Sequence, residues 1–371
     1  MIIEFDKVSR KSWDETMKQA EPKGTIFQST YWAECLKNTL GSRPIYMAKA
    51  DERGNVEGQL LAFENCYAEH SSSTMPGKRG LLIRGLYRTL ASPVLHRVLP
   101  FIFWENGPVV LPGHASNNSD PYGELLEAIV QRAKDRKCYE IKFARPAFFD
   151  DRLELFSSLG FANRRMGTVL VNLEGPIETI WSRLESETRR LIRRTQEKGI
   201  SITRVNRTNE LEEFYEMHVQ TTKRTGGKTY SFLFFKSLHD YLSRFDKTVT
   251  FVARLKDRPI GALMVLMHND IVHIYSGGES DYARQNKIKA NHALLWHIIE
   301  WAREMGFKYF DQSGVELHKI ESNQEKAKTI CWFKAKWGGQ IPEYHDYQKT
   351  LWDSRTARFL NHLMTDPVVH N

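Results

Sequence analysis

The chain has 371 residues, 41% of them hydrophobic and 12% aromatic. That exceeds one ordinary core of about 100 to 200 residues, so two globular domains are expected and a disordered or fibrous chain is excluded. The formal charge of +8 suits either a phosphate-rich partner (a nucleotide, an RNA or an anionic membrane surface) or simple solubility. Cys35, Cys66, Cys138 and Cys331 are far apart and form no CxxC pair, which argues against a disulfide framework or a zinc knuckle and fits a reducing cytoplasm. No apolar run approaches the roughly 18 residues of a membrane span, and MIIEFDKVSRKSWDE is too acidic for a signal peptide.

In chain order, residues 1–66 read as a strand (IIEFDKVS), a helix, a break at Pro22 and Gly24, and FQSTYWAECLKN, where Ser29 or Thr30 can cap a helix carrying Trp32 and Leu36. PIYMAKAD and VEGQLLAFE follow, joined as a hairpin by Glu-Arg-Gly-Asn. Residues 67–100 form a basic insert in which Arg84, Arg88 and Arg97 interrupt Leu81, Leu82, Leu86, Leu90 and Leu95. Such a stretch is either an amphipathic helix packed on its own domain and broken at Pro93, or a piece, over 78–100, that lies in a membrane interface. FIFWENGPVVL, the helix PYGELLEAIVQRAKDRKCY, the strand EIKFARP, a short helix DRLELFSSLG and FANRRMGTVLVNLEG close the first half.

The second half restates this order with a helical LEEFYEMHVQTTKR, a hairpin TVTFVARLKDRPIGALMVLMHND, a strand DIVHIYSGG, a loop, a helix ANHALLWHIIEWAREMG and a strand FKYFDQSG. Leu294, Leu295, Ile298, Trp301, Ala302 and Met305 recur at helical spacing, with Gly306 as the stop. PIYMAKADERGNVEGQLLAF resembles VTFVARLKDRPIGALMVLM, and YGELLEAIVQRAKDRKCYEIKF resembles NHALLWHIIEWAREMGFKYFDQ. The chain therefore reads as two copies of one α/β unit, the first carrying the basic insert.

Hairpin, strand, loop, helix, strand is the order of an acetyltransferase-like (GNAT) domain. Its acyl-CoA-dependent members hold pyrophosphate on a Q/R-x-x-G-x-G/A loop before the long helix. Here that loop is Arg284-Gln-Asn-Lys-Ile-Lys-Ala290, with Ile288 where the first glycine belongs; a side chain there is expected to block the approach of phosphate to backbone. The Gly-Gly pairs beginning at 226, 277 and 338 read as turns. His292 and His297 are five apart rather than four and no HExxH occurs, so the histidines read as structural.

FQSTYW (27–32), GPVVL, the pair Gly160-Phe161, the basic helix ETRRLIRRTQEKGISI, the block LLWHIIEWAREMGFKYFDQSGV and the close WFKAKWGG carry a further likeness. Over nearly its whole length the chain resembles the Fem-type (FemABX) aminoacyltransferases, which use aminoacyl-tRNA to build the interpeptide bridge of peptidoglycan precursors. The resemblance implies an α/β (α+β) fold of two tandem acetyltransferase-like domains with mixed central sheets flanked by helices. Residues 1–170 would be the first domain, with the tail 340–371 packing back on it, and 171–339 the second, catalytic one. No stretch has the length or heptads of the helical arm found in some members, so this is the armless kind.

The same resemblance implies site residues and partners. Lys334, preceded by Phe333, matches the family's Phe-Lys motif and would stabilise the negative charge that develops when an amine attacks an ester. Arg224 matches an arginine that holds acceptor phosphate, for which a guanidinium fork is suited, and Tyr275 a tyrosine of the site. Asp311, at the end of the last strand, would orient a base or the substrate amine, or else cap the following loop. Arg189, Arg190, Arg193 and Arg194 place four cations on about two turns, which could track a tRNA phosphate backbone or pair with Glu185, Glu187 and Glu197. Aminoacyl-tRNA is the implied co-substrate, with no cofactor and no metal; a nucleotide- or lipid-linked cell-envelope precursor is the acceptor. The place of action is the cytoplasm, with peripheral contact at the inner face of the membrane through the insert. Glu34 and Arg145 stand where a nucleotide-precursor-using member has a lysine and an aspartate, so the acceptor stays open. Two alternatives stand beside this activity: an acyl-CoA-dependent N-acyltransferase, and a non-catalytic RNA- or membrane-binding homologue.

Overall fold

The computed structural model describes residues 1–5, 10–20, 25–66, 100–112, 120–144, 152–226 and 229–352; most of the basic insert, Arg145 and the last part of the tail lie outside them. The chain divides into two compact units, Met1–Arg164 together with the segment that begins at Tyr344, and Arg165–Glu343.

The sheet of unit 1 runs β1 (Ile2–Phe5), β2 (Arg43–Ala50), β3 (Val56–Cys66), β4 (Pro100–Glu105), β6 (Glu140–Ala144) and β13 (Glu343–Thr350), with the short β5 (Val109–Val110) beside β3. All these pairings are antiparallel except β4 with β6. The β2–β3 hairpin closes because the Asp51 carboxylate accepts from the amides of Arg53 and Asn55, both at 2.8 Å, and Gly54 supplies a φ of 85°. Helix α1 (Arg10–Gln19) precedes α2 (Thr30–Leu40), which starts at Ser29, whose hydroxyl accepts from Trp32 N at 3.2 Å. Helix α3 (Pro121–Asp135) takes Pro121 at its first position, where no amide hydrogen is needed, and buries Leu125, Leu126, Ile129, Val130 and Ala133. Helix α4 (Leu153–Ser158) brings Phe156 to the core beside Phe143 and Tyr347 of β13.

The FQSTYW stretch holds this unit together. Gln28 is fully buried; its Nε2 donates to the carbonyls of Leu61 (3.0 Å) and Glu105 (2.7 Å), and its Oε1 accepts from Leu61 N (2.8 Å). The β3–β4 ladder covers Phe63–Cys66 with Pro100–Phe103, so one amide side chain replaces the ladder where those strands part. A Cβ at Gly107 would lie 2.7 Å from that side chain. Trp13 Nε1 donates to Gln28 O at 2.8 Å, and Asp14 accepts from the amide and hydroxyl of Thr30.

Unit 2 repeats the topology. Its sheet runs β8 (Ser201–Arg204), β9 (Thr248–Leu255), β10 (Arg258–His268), β11 (Ile271–Glu279), β12 (Tyr309–Val315) and β7 (Ala162–Asn172), again with one parallel pair, β11 with β12. β7 pairs with β12, and unit 2 begins at Arg165. Helices α5 (Ile177–Arg183), α6 (Ser186–Glu197), α7 (Thr208–Thr225), α8 (Phe232–Leu242), α9 (Asp281–Gln285) and α10 (Ala290–Glu304) pack on it, followed by α11 (Leu317–Glu321) and α12 (Glu325–Ala335). Helix α10 buries Leu294, Leu295, Ile298, Ile299, Trp301 and Ala302, each large side chain contributing about 1.5 to 3 kcal/mol.

Gly277 and Gly278 are not a turn but lie inside β11. A Cβ on Gly278 would stand 2.3 Å from the Met217 carbonyl carbon and 2.4 Å from His218 N, so a glycine there lets α7 pack backbone to strand. Gly338, with φ 69°, does turn the chain, and it passes against Arg183, whose carbonyl oxygen would be 2.7 Å from a Cβ.

Replacing Gln28 with Ala leaves two carbonyls and one amide of β3 and β4 without partners inside the core. Urea unfolding should show a loss of about 3 kcal/mol; a loss well under about 1 kcal/mol would show that the side chain is not what closes the gap.

Candidate active site

The site is built on the parallel pair of unit 2. β11 and β12 are in register for three residues only, Ile271–His273 with Tyr309–Asp311. Beyond that β11 continues to Glu279 on β10, and β12 continues to Val315 on β7. The two strands therefore part. Each bulges where it leaves the other: β11 between Ile274 and Ser276, with Tyr275 as the extra residue, and β12 between Asp311 and Gly314. The equivalent pair of unit 1, β4 with β6, keeps register over all five residues Phe101–Glu105. Among the described residues, the parallel pair of unit 2 is the one seen to part.

At the fork the Asp311 carboxylate is fully buried. Its Oδ2 is 2.8 Å from His273 Nδ1, and its Oδ1 accepts from the hydroxyl of Thr168 and from Ser313 N at 2.7 Å. Both of its oxygens are thus engaged by groups of β7, β11 and the β12 bulge. Ser313 sits at φ 69°, a left-handed conformation that costs a non-glycine residue about 1 to 2 kcal/mol.

That conformation turns two carbonyls toward α12. Lys334 Nζ donates to Ser313 O at 3.0 Å and to Gly314 O at 2.8 Å, and the Gln312 amide reaches Lys334 O at 3.4 Å. Glu325–Ala335 is helical, which fixes the ammonium rather than leaving it on a mobile tether. Phe333 is half-buried against His292 (centroids 5.5 Å apart) and Trp337 (6.5 Å). Trp337 is buried, and Trp332, 60% exposed, carries Lys336 Nζ over its ring.

Arg224 lies on the last turn of α7, and its fork is engaged within the unit. Nη1 meets Asp281, and Nη2 donates to Thr221 Oγ1 and Glu279 O, both at 3.1 Å. It ties α7 to the end of β11 and to α9, and burial raises the Glu279 carboxyl above its ordinary range despite this neighbour. On α6, Thr188, Ile192 and Thr195 face the core and the arginines do not act alike. Arg189 donates to the carbonyls of Ser182 and Leu184; Arg190 pairs with Glu187 at 2.7 Å; Arg193 lies 5.5 Å over the Trp181 ring. Arg190, Arg193 and Arg194 are exposed, whereas Arg189 is half-buried and serves as a C-terminal cap for α5.

The loop before α10 also differs from expectation. The Ile288 side chain points into the core, so it does not stand in the way of a phosphate. The backbone amides are what change: Asn286 N donates to Tyr282 O (3.0 Å), Lys287 N to Arg284 O (3.1 Å) and Ile288 N to Ala283 O (2.8 Å), with Lys287 at φ 52°. This is a Schellman close on α9 with lysine at the glycine position. The amide donors of Asn286, Lys287 and Ile288 are therefore used inside the chain.

The arrangement defines an α/β protein of two tandem GNAT-like units, the second of which carries the parted parallel pair. A family model described as an acetyltransferase (GNAT) domain matches residues 182–317. Among solved structures the chain is similar to FemX, at 16% identity over 97% of this chain and 99% of that one with a TM-score of 0.66. It is also similar to L-PGS from Bacillus licheniformis (13% identity, 91% and 96% covered, TM-score 0.51) and to a tandem GNAT protein from the clavulanic acid biosynthesis pathway (10% identity, 95% and 100% covered, TM-score 0.50). No curated protein matches. No helix among the described residues is long and apolar enough to cross a membrane.

Sequence reasoning singled out Lys334, Phe333, Tyr275 and Asp311 but not Thr168 and His273, which stand 143 and 38 residues from Asp311. A lone threonine and a lone histidine on separate strands give no local signal that could have paired them.

His292, beneath Phe333, is the most perturbed histidine here: burial, reinforced by Lys289 and Lys336, lowers its pKa to about 4. Its folded value lies below its unfolded value of 6.5, so between the two the unfolded chain binds a proton that the fold does not. The stability tied to neutral His292 is whole above about pH 6.5 and falls by about 3 kcal/mol as the pH drops toward 4. Unfolding measured at about pH 7 and pH 4.5 should show a smaller acid loss in His292→Gln than in the parent chain; equal losses would contradict the burial argument. His218, His239 and His297, lowered by burial in the same sense, are common to both proteins and cancel.

Proposed function

We propose that the chain is an amide-forming aminoacyltransferase that moves an amino acid from aminoacyl-tRNA to an amine of a peptidoglycan-type precursor in the cytoplasm. The observation that carries this is the Lys334 ammonium, held by two backbone carbonyls on the part of β12 that has left β11. The amine nitrogen attacks the ester carbonyl; the C–N bond forms, the C–O bond to the ribose breaks, and a proton of the amine leaves on the ribose hydroxyl. Negative charge appears first on the carbonyl oxygen and then on the departing oxygen, and a fixed cation lowers both barriers. The likeness to FemX over nearly the whole chain supports the donor, as does a loop whose amides are spent internally. Phe333 would form the apolar wall beside the ester, and Tyr275, displaced by its bulge, would face the acceptor. Arg224 would need to release Asp281 to take an acceptor phosphate.

A second reading, an acyl-CoA-dependent N-acyltransferase, is favoured by the acetyltransferase family match over 182–317. Purified protein with tRNA charged with a labelled amino acid and with cell-envelope precursors separates the two. Label should enter the precursor, and Lys334→Ala should reduce the rate about 100-fold or more with the fold retained. Transfer unaffected by the substitution would remove the role of Lys334. Consumption of acetyl-CoA without tRNA would establish the second reading.

The exposed arginines of α6 are assigned to the tRNA backbone. Replacing Arg190, Arg193 and Arg194 with Gln should weaken tRNA binding and lower the slope of log affinity against log salt by about 2 to 3. An unchanged slope would return these residues to the role of a solvated face.

A further inference from the structure

The strand bearing the Lys334 cradle is itself held by a charge that the reading above does not use. Three separate strands converge on Asp311: Thr168 from β7, His273 from β11 and the Ser313 amide from the bulge of β12. Ser313 sits in a conformation that serine does not favour, so something must hold it there. The Asp311 oxygen that receives its amide supplies the hold. The carbonyl of the same residue, Ser313 O, and then Gly314 O accept from the ammonium. An unbroken sequence of contacts therefore runs from the buried carboxylate through the bulged backbone to Nζ.

We propose that Asp311, supported by Thr168 and His273, is a positioning residue: it fixes the β12 bulge so that two carbonyls aim at Lys334 and hold its ammonium in place. The inference rests on the reading of Lys334 as the cation that meets the developing charge, but its test does not. Asp311 touches no substrate in this scheme. Asp311 lies inside β12 at the point where the fork opens: His273 and Asp311 are the last residues in register, and their side chains bridge the two strands where their mutual pairing stops. The carboxylate oxygen nearer β12 takes the amide and the hydroxyl, while the other takes the imidazole. Asparagine in the same place can keep the first oxygen as an acceptor and turn its NH2 toward His273, which alanine cannot.

The experiment reads Lys334 directly in the free protein. Limiting acylation with an N-hydroxysuccinimide ester, followed by peptide mass spectrometry, gives the modification rate of Lys334 relative to Lys308. Lys308 pairs with Asp270 in the same unit and serves as an internal reference for folding. Asp311→Ala should speed Lys334 modification about tenfold while leaving Lys308 unchanged, and Asp311→Asn should restore a rate near that of the parent. In the transfer assay the alanine variant should lower kcat with little change in KM. Equal Lys334 reactivity in Asp311→Ala and the parent would overturn the proposal, as would asparagine behaving like alanine. Should the alanine variant not fold, Thr168→Val, isosteric but lacking the hydroxyl, carries the same readout; it should raise Lys334 modification about threefold, and no rise would count against the proposal. Because the reactivity is measured without donor or acceptor, failure to find aminoacyl transfer leaves this result standing on its own.

Discussion

Two parallel strands that part can no longer satisfy each other's backbone groups, and unit 2 is arranged around that constraint. Its ladder is given up after three residue pairs, and the freed ends are kept from collapsing by pairing each strand with a different neighbour. The last pair is bridged by side chains, Asp311 with His273. Everything placed near the opening depends on this fork. The β11 bulge displaces Tyr275, the β12 bulge presents the Ser313 and Gly314 carbonyls, and α12 lays Lys334 against them. A buried carboxylate without such partners would be costly; with three donors it becomes a fixed point for three strands.

The two units show what one topology can be used for. In each, a hairpin and a strand precede the one parallel pair, and an antiparallel strand follows it. In unit 1 the described parallel pair keeps register over Phe101–Glu105, and the gap between β3 and β4 is filled by the Gln28 amide. Both N–H donors of that side chain are committed to backbone carbonyls, which leaves no donor for a ligand. The FQSTYW stretch that contributes to the family likeness is thus a structural fastening, whereas WFKAKWGG serves both ends: its lysine at the fork and its glycines in close contact with neighbouring backbone.

Close backbone contacts also explain which glycines matter. Gly278 lets α7 approach β11, which brings Thr221 and Arg224 to the Glu279 carbonyl and fixes the far end of the open strand. The loop that follows uses its amides to close α9. Here the missing glycine changes the chemistry through hydrogen bonding rather than through bulk, since Ile288 turns inward.

Much of this was legible in the sequence because it depends on local periodicity. The helical spacing of Leu294, Leu295, Ile298 and Trp301, the alternation in the hairpins, the Ser29 cap and the repetition of element order are all read within windows of a few residues, and together they define two α/β units. Lys334 and Phe333 were legible only through resemblance to a family, since one lysine among 53 basic residues has no periodicity of its own. The fork, its bulges and the Thr168–Asp311–His273 cluster were decided by tertiary structure alone. Register between strands depends on which partners meet across the sheet, and the groups that meet at Asp311 come from positions far apart in the chain. The sequence by itself therefore determined which elements form and in what order they recur; only the folded sheet decided where two of its strands separate and which side chains hold them apart.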